Sequence, residues 1–137
     1  MAATDRGDGP IGLLVAASVF VLGLTSLVYA GLGYHANQLV TSAAQQGAAV
    51  AARLGGTPED GVATADEMLA RWAGPLVDRR STTATVVREP DGRGRVVITI
   101  EADVVAPLGA WPVEVSGSAP IEEFVHQRAA DAGSRSG

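Results

Sequence analysis

The chain has no cysteine, and that removes disulfides, thiolate metal sites and thiol catalysis together while leaving the redox compartment unread. Lysine is missing as well. The ten basic residues are all arginines, scattered along a chain of net charge -5, so the clustered basic stripe of a nucleic-acid binder is absent and no nucleic-acid partner is expected. An arginine-only composition with abundant Ala, Gly and Val reflects a GC-rich genome of the actinobacterial kind. Histidine occurs only at His35 and His126, neither beside an evident acid–base partner. No H-E-x-x-H, P-loop, G-x-S-x-G or G-x-G-x-x-G pattern stands in its required context. Asp91-Gly92-Arg93-Gly94 lacks the further acidic ligands of a calcium loop and reads as a hairpin turn. The acidic pairs Asp66-Glu67 and Glu122-Glu123 read as solvated surface. The sequence therefore assigns no catalytic residue, no metal site and no cofactor, and the expectation is a protein that is not an enzyme.

What is present is a long apolar run. Ile11 to Tyr34 carries no charged side chain, and about 20 apolar residues suffice for a helix to cross a bilayer core. With 4% aromatic residues, the rest of the chain has little with which to wrap such a helix on every face, so a membrane span is expected. A cleaved secretory signal ending at Val28-Tyr29-Ala30 is the competing reading; the long apolar stretch and an N-terminal segment with Arg6 between Asp5 and Asp8 count against it. Arg6 precedes the span and the next basic residue is Arg53, which places the N-terminus inside and the bulk of the chain outside. Tyr29, Tyr34 and His35 fall near the outer end, where amphipathic rings favour the headgroup level.

No helix stop appears before Gly55-Gly56, so the helix is expected to continue as one rod from Ile11 to Leu54, about 65 Å long. Leu39, Ala43, Gly47, Val50 and Leu54 share a face of the extension, and Ala43, Gly47 and Ala51 repeat a small residue every four positions. These three, with Gly12, form a candidate helix-packing surface. Gly47 costs up to about 1 kcal/mol relative to Ala inside a helix, so something is expected to pack closely on it: a strand of the chain's own sheet, or a helix of another subunit. Thr57-Pro58-Glu59-Asp60 starts a second, amphipathic helix, with Val62, Ala65, Leu69, Trp72 and Leu76 as its apolar stripe and Gly74-Pro75 as its stop.

The pattern then turns to β. Thr82 to Arg88 and Arg95 to Val105 flank a turn at Glu89 to Gly94, and Val96, Ile98, Ile100, Ala102 and Val104 alternate onto one face. Pro107-Leu108-Gly109 breaks the run. Trp111, Val113, Val115, Gly117 and Ala119 continue the alternation in a third strand, with Glu114, Ser116 and Ser118 outward. The fold class is α+β: a three-stranded antiparallel sheet whose apolar face needs the second helix and the outer half of the rod as lids. The expected organisation is a cytoplasmic leader-like segment over 1–10, a transmembrane helix over 11–34, its extension over 35–56, a small extracytoplasmic α+β domain over 57–128, and a disordered tail over 129–137.

In order and spacing these parts resemble the TadE-like proteins of the tight-adherence pilus, a branch of the type IV pilin group. The resemblance covers most of the chain and rests on Asp5-Arg6-Gly7 before the apolar helix, on Ala44-Gln45-Gln46-Gly47-Ala48 and Ala51-Ala52-Arg53 in its extension, and on a β-rich end closing with Ser116-Gly117-Ser118-Ala119-Pro120. It implies a minor pilin or pseudopilin that sits in the cytoplasmic membrane, or in an extracellular pilus after assembly. Its implied partners are membrane lipid, other pilin-like subunits, the pilus assembly platform and a prepilin peptidase cutting between Gly7 and Asp8. Two positions depart from the group: Asp8 stands where a small or apolar first mature residue is usual, and Gly12 stands where the group has a glutamate. That glutamate meets a neighbour's new amino terminus in an apolar environment, where an unpaired charge is costly. Without it, the expectation is a tip-initiating subunit or an unprocessed membrane-bound assembly factor. The rival reading is an unrelated signal-anchored envelope protein whose outer domain binds a partner.

Overall fold

The computed structural model describes residues 9–106 and 109–122. Helix α1 spans Gly9–Ala52, 44 residues without one charged side chain, and is about 66 Å long at the usual rise. It ends two residues short of Leu54, because Gly55 takes a left-handed φ of 80° and the Gly56 N–H bonds back to the Arg53 carbonyl at 2.8 Å. Leu54, expected on the packing face, is consequently 60% exposed. The Ala52 carbonyl, otherwise without a partner at the helix end, accepts from the Glu122 N–H at 2.9 Å.

Helix α2, Pro58–Met68, opens with Thr57 as N-cap: its hydroxyl accepts from the Asp60 N–H, while the Asp60 carboxylate accepts from the Thr57 N–H at 3.1 Å. A π-helical turn, Leu69–Ala73, follows, closed by the Gly74 N–H on the Leu69 carbonyl, and then a short 3-10 turn, Gly74–Leu76. The wider π turn re-phases the helix. Gly61, Ala65, Leu69 and Ala73 form its buried line, while Trp72, placed in the core by a regular 3.6-residue period, is turned out and is 66% exposed.

Strands β1 (Val77–Arg88), β2 (Gly94–Ala106) and β3 (Gly109–Pro120) form one antiparallel sheet in that order, so β1 begins five residues before the β-rich stretch legible in the sequence. The register of β1 slips between Arg79 and Ser81. The β1–β2 turn is closed from within: the Gly92 N–H bonds to the Glu89 carbonyl at 2.9 Å, the Glu89 N–H to the Arg93 carbonyl at 2.8 Å, and Asp91 accepts from the Arg93 N–H. Val96, Ile98, Ile100, Ala102 and Val104 of the central strand are all buried, as their alternation requires. They pack against Val40, Ala43, Ala44, Ala48, Ala51 and Ala52 of α1 and Ala65, Leu69 and Ala73 on the α2 side. The core is thus built from β-branched side chains on the sheet and alanines on the helices.

Candidate functional site: the long helix and its small-residue face

Helix α1 has two halves with opposite surroundings. From Ile11 to Leu32 its large apolar side chains are exposed, Leu13 by 72% and Phe20 by 70%, and this half is long and apolar enough to cross a membrane. Ser18 and Ser26 return their hydroxyls to the Leu14 and Leu22 carbonyls at 2.8 Å, so these two polar groups are satisfied inside the helix. From Ala36 outward the helix becomes the spine of the domain, with Ala36, Val40, Ala43, Ala44, Gly47, Ala48, Ala51 and Ala52 buried.

The small residues set how closely the other elements approach. A Cβ added at Gly47 would stand 2.6 Å from the Gly61 carbonyl oxygen and 3.1 Å from the Ala65 Cβ; one added at Gly61 would stand 2.6 Å from the Gly47 carbonyl oxygen and 2.7 Å from the Ala51 Cβ. Strand β3 comes equally close, since a Cβ at Gly117 would fall 2.3 Å from the Ala44 carbonyl carbon. Within the chain it is α2, rather than a strand of the sheet, that lies on Gly47. A backbone-to-backbone contact needs glycine on both sides, and the glycine in α2 supplies the second. The strand of the sheet meets the rod one turn earlier, at Ala44.

Among the sequence-marked residues, Ala43, Gly47 and Ala51 are therefore brought together inside the domain, whereas Gly12 lies on the exposed half with nothing within 4 Å of an added Cβ. Gly7 and Asp8 lie outside the described residues, as do His126, Glu123 and the tail over 129–137. Sequence reasoning placed Gly117 on the inward face of β3 without its role as a contact to the helix. It passed over Gly61 and Gly33; the signal in each case was a glycine where helix or strand propensity disfavours one.

Polar chemistry lies on the domain surface. Asp66 of α2 accepts from the Thr82 hydroxyl at 2.7 Å and pairs with Arg79, tying α2 to β1. The hydrogen bond to Asp66, aided by its charge and opposed by partial desolvation, holds the Arg79 guanidinium above its already high ordinary pKa. Arg80 pairs with Asp103 at 2.6 Å and Arg95 with Glu89 at 2.9 Å. Glu101 and Glu114 face each other across β2 and β3, and Ser81 donates to Glu101 at 3.1 Å. Among the described residues no polar side chain is buried, no buried side-chain nitrogen or oxygen lacks a partner, and no three His, Asp or Glu residues gather as a metal set. The depression between α2 and β1, lined by Pro58, Glu59, Val62, Ala63, Asp66 and Ala84, is shallow and open to solvent.

Comparison of the chain with protein-family models, with curated proteins and with solved structures finds no match.

Proposed function

We propose that this chain is a pilin-like membrane subunit, of the TadE-like kind, that takes part in assembling a tight-adherence or type IV-like pilus as a minor or tip-initiating subunit. The observation that carries the reading is the single uncharged 44-residue helix whose inner half is bare and apolar while its outer half is the buried spine of a small α+β domain. Such a helix serves as an anchor before assembly and as a packing surface afterwards. In this role the outer small-residue face is consumed within the subunit, and contacts to other subunits fall to the bare half around Gly12 and to the domain surface. The N-terminus lies in the cytoplasm and the domain outside, following the Arg6 asymmetry.

Sequencing the N-terminus of the membrane-extracted protein tests this. Asp8 as the first residue supports the peptidase-processed pilin route, and Gly31 overturns it in favour of a secreted domain. Met1 or Ala2 supports an unprocessed anchor. A specific observation favours keeping that last alternative, a signal-anchored envelope protein with a binding outer domain: helix α1 has no acidic residue in its first turn and none along its length, so nothing in it can neutralise a neighbour's amino terminus.

A further inference from the structure

The end of the domain nearest the bare half of α1 gathers both tryptophans of the chain and one of its two tyrosines. The Trp111 indole lies on Gly33, where an added Cβ would stand 2.8 Å from the ring, and Trp111 remains 41% exposed. Tyr34, the residue after Gly33 in α1, is 68% exposed. Gly61 and Ala65 stand against Gly47, and α2 runs antiparallel to α1, so Trp72 comes about level with Asn37, roughly one helical turn further out than Gly33. Trp72, Trp111 and Tyr34, remote in sequence, thus share one end of the molecule.

The sheet contributes to the same end. Its innermost cross-strand row on the outer face is Val105–Ala110, whereas the next rows outward are Asp103–Pro112 and Glu101–Glu114. Val105 is 42% exposed. Asp103, the nearest acid on β2, is neutralised by Arg80. This end therefore presents rings and small apolar side chains with no unpaired charge from the β2–β3 strands.

From these positions we infer that the domain has no stalk and is seated on the bilayer, with Trp111 and the Val105–Ala110 row of strands β2 and β3 inserted at the headgroup level. The inference rests on the membrane-span reading of α1. A hydrocarbon core about 30 Å thick takes up about 20 residues from Gly9, and the headgroup layer beyond it reaches about Tyr34, which is where Trp111 lies. Tryptophan and tyrosine favour this layer because the ring is apolar and its N–H or O–H can reach water. The occupant is the neutral lipid interface. The exposed acids of the outer sheet face, Glu101 and Glu114, disfavour an anionic surface.

The test uses the full chain in phosphatidylcholine vesicles. With Trp72→Phe, Trp111 is the sole indole; lipids brominated next to the headgroup are expected to quench it at least about twofold more than lipids brominated near the terminal methyl, and aqueous iodide to quench it weakly. With Trp111→Phe, the remaining Trp72 is expected to show weaker bromolipid and stronger iodide quenching. Equal iodide quenching of both indoles without a bromolipid effect overturns the seat. Because the chain is free of cysteine, a polarity-sensitive label at Val105→Cys gives an independent reading: emission shifted to the blue relative to the same label at Ser118→Cys supports insertion, and identical emission overturns it. Phe20→Trp in the Trp72→Phe/Trp111→Phe background separates the two levels of inference. Strong quenching by deep bromines keeps the span, so that a failed seat is a failure of the seat alone; no such quenching overturns the span and the seat together.

Discussion

Gly47 of the first helix and Gly61 of the second lie backbone to backbone, each so placed that a Cβ on one would stand 2.6 Å from the carbonyl oxygen of the other. The contact fixes how near the two helices run, and so how far Ile98, 3.2 Å from the added Cβ of Gly61, is covered.

Gly47→Ala is expected to destabilise the domain. Helix propensity favours alanine by about 1 kcal/mol, but forcing the helices apart costs about 1–3 kcal/mol. Thermal unfolding followed by circular dichroism in detergent should show a Tm lower by about 5 °C. Gly23→Ala, at a position with nothing within 4 Å, should leave the Tm unchanged or raise it. The double variant Gly47→Ala/Gly61→Ala is expected to lose less than the sum of the single losses, because one separation relieves both clashes.

Gly117→Ala is expected to be the more damaging change. Its Cβ would fall within 2.5 Å of three backbone atoms of Ala44 and Gln45, none of which can rotate away. Strand β3 would have to leave the rod, at a cost of more than about 3 kcal/mol. Limited proteolysis in detergent should then release fragments from the sheet while the apolar half of α1 stays protected.

Asp66→Ala removes the Arg79 ion pair and the acceptor of the Thr82 hydroxyl. Both charged side chains are partly exposed, 43% for Arg79 and 31% for Asp66, so solvent screening keeps the expected loss to about 1 kcal/mol. Because the Arg79 pKa is raised, the arginine's share of this stability is fully present below its ordinary value and lost only as pH rises through the higher one. Stability measured from neutral to moderately alkaline pH should show no step from this pair, and added salt should weaken it.

Gly12→Glu restores the carboxylate that the resemblance to pilins leads one to expect. On the proposed role, the variant should enter pilus fibres at internal positions, read by immunogold labelling along the fibre. Unchanged assembly and unchanged position would remove any meaning from the missing glutamate. The folded domain should be unaffected, since Gly12 is remote from it and nothing lies within 4 Å of the added Cβ.

The legible parts of the fold were those governed by strict local patterns. The alternation at Val96, Ile98, Ile100, Ala102 and Val104 requires only a period of two, and all five are buried. Thr57 ahead of Pro58-Glu59-Asp60 marks a helix start, and Thr57 caps α2 there. Trp72 went the other way because a single π turn shifts the phase of everything after it, and no propensity marks where such a turn falls. The candidate surface divided along the same line. The small residues at Ala43, Gly47 and Ala51 were visible as a spacing of four, but the spacing carries no record of what packs on it.

By itself the sequence determined the long apolar helix, the order of helices and strands, and the faces of the sheet, because each depends on neighbours within a few residues: an uncharged run from Ile11 to Tyr34, caps, turns and two periodicities. Only the tertiary structure decided that the small-residue face of the long helix is filled from within, by Gly61 of α2 at Gly47 and by Gly117 of β3 at Ala44. It also decided that Trp111 comes down on Gly33. These are contacts between residues far apart in the chain. Their partners are chosen by how the sheet and two helices close over one core, and a glycine's missing side chain says that something approaches without saying what.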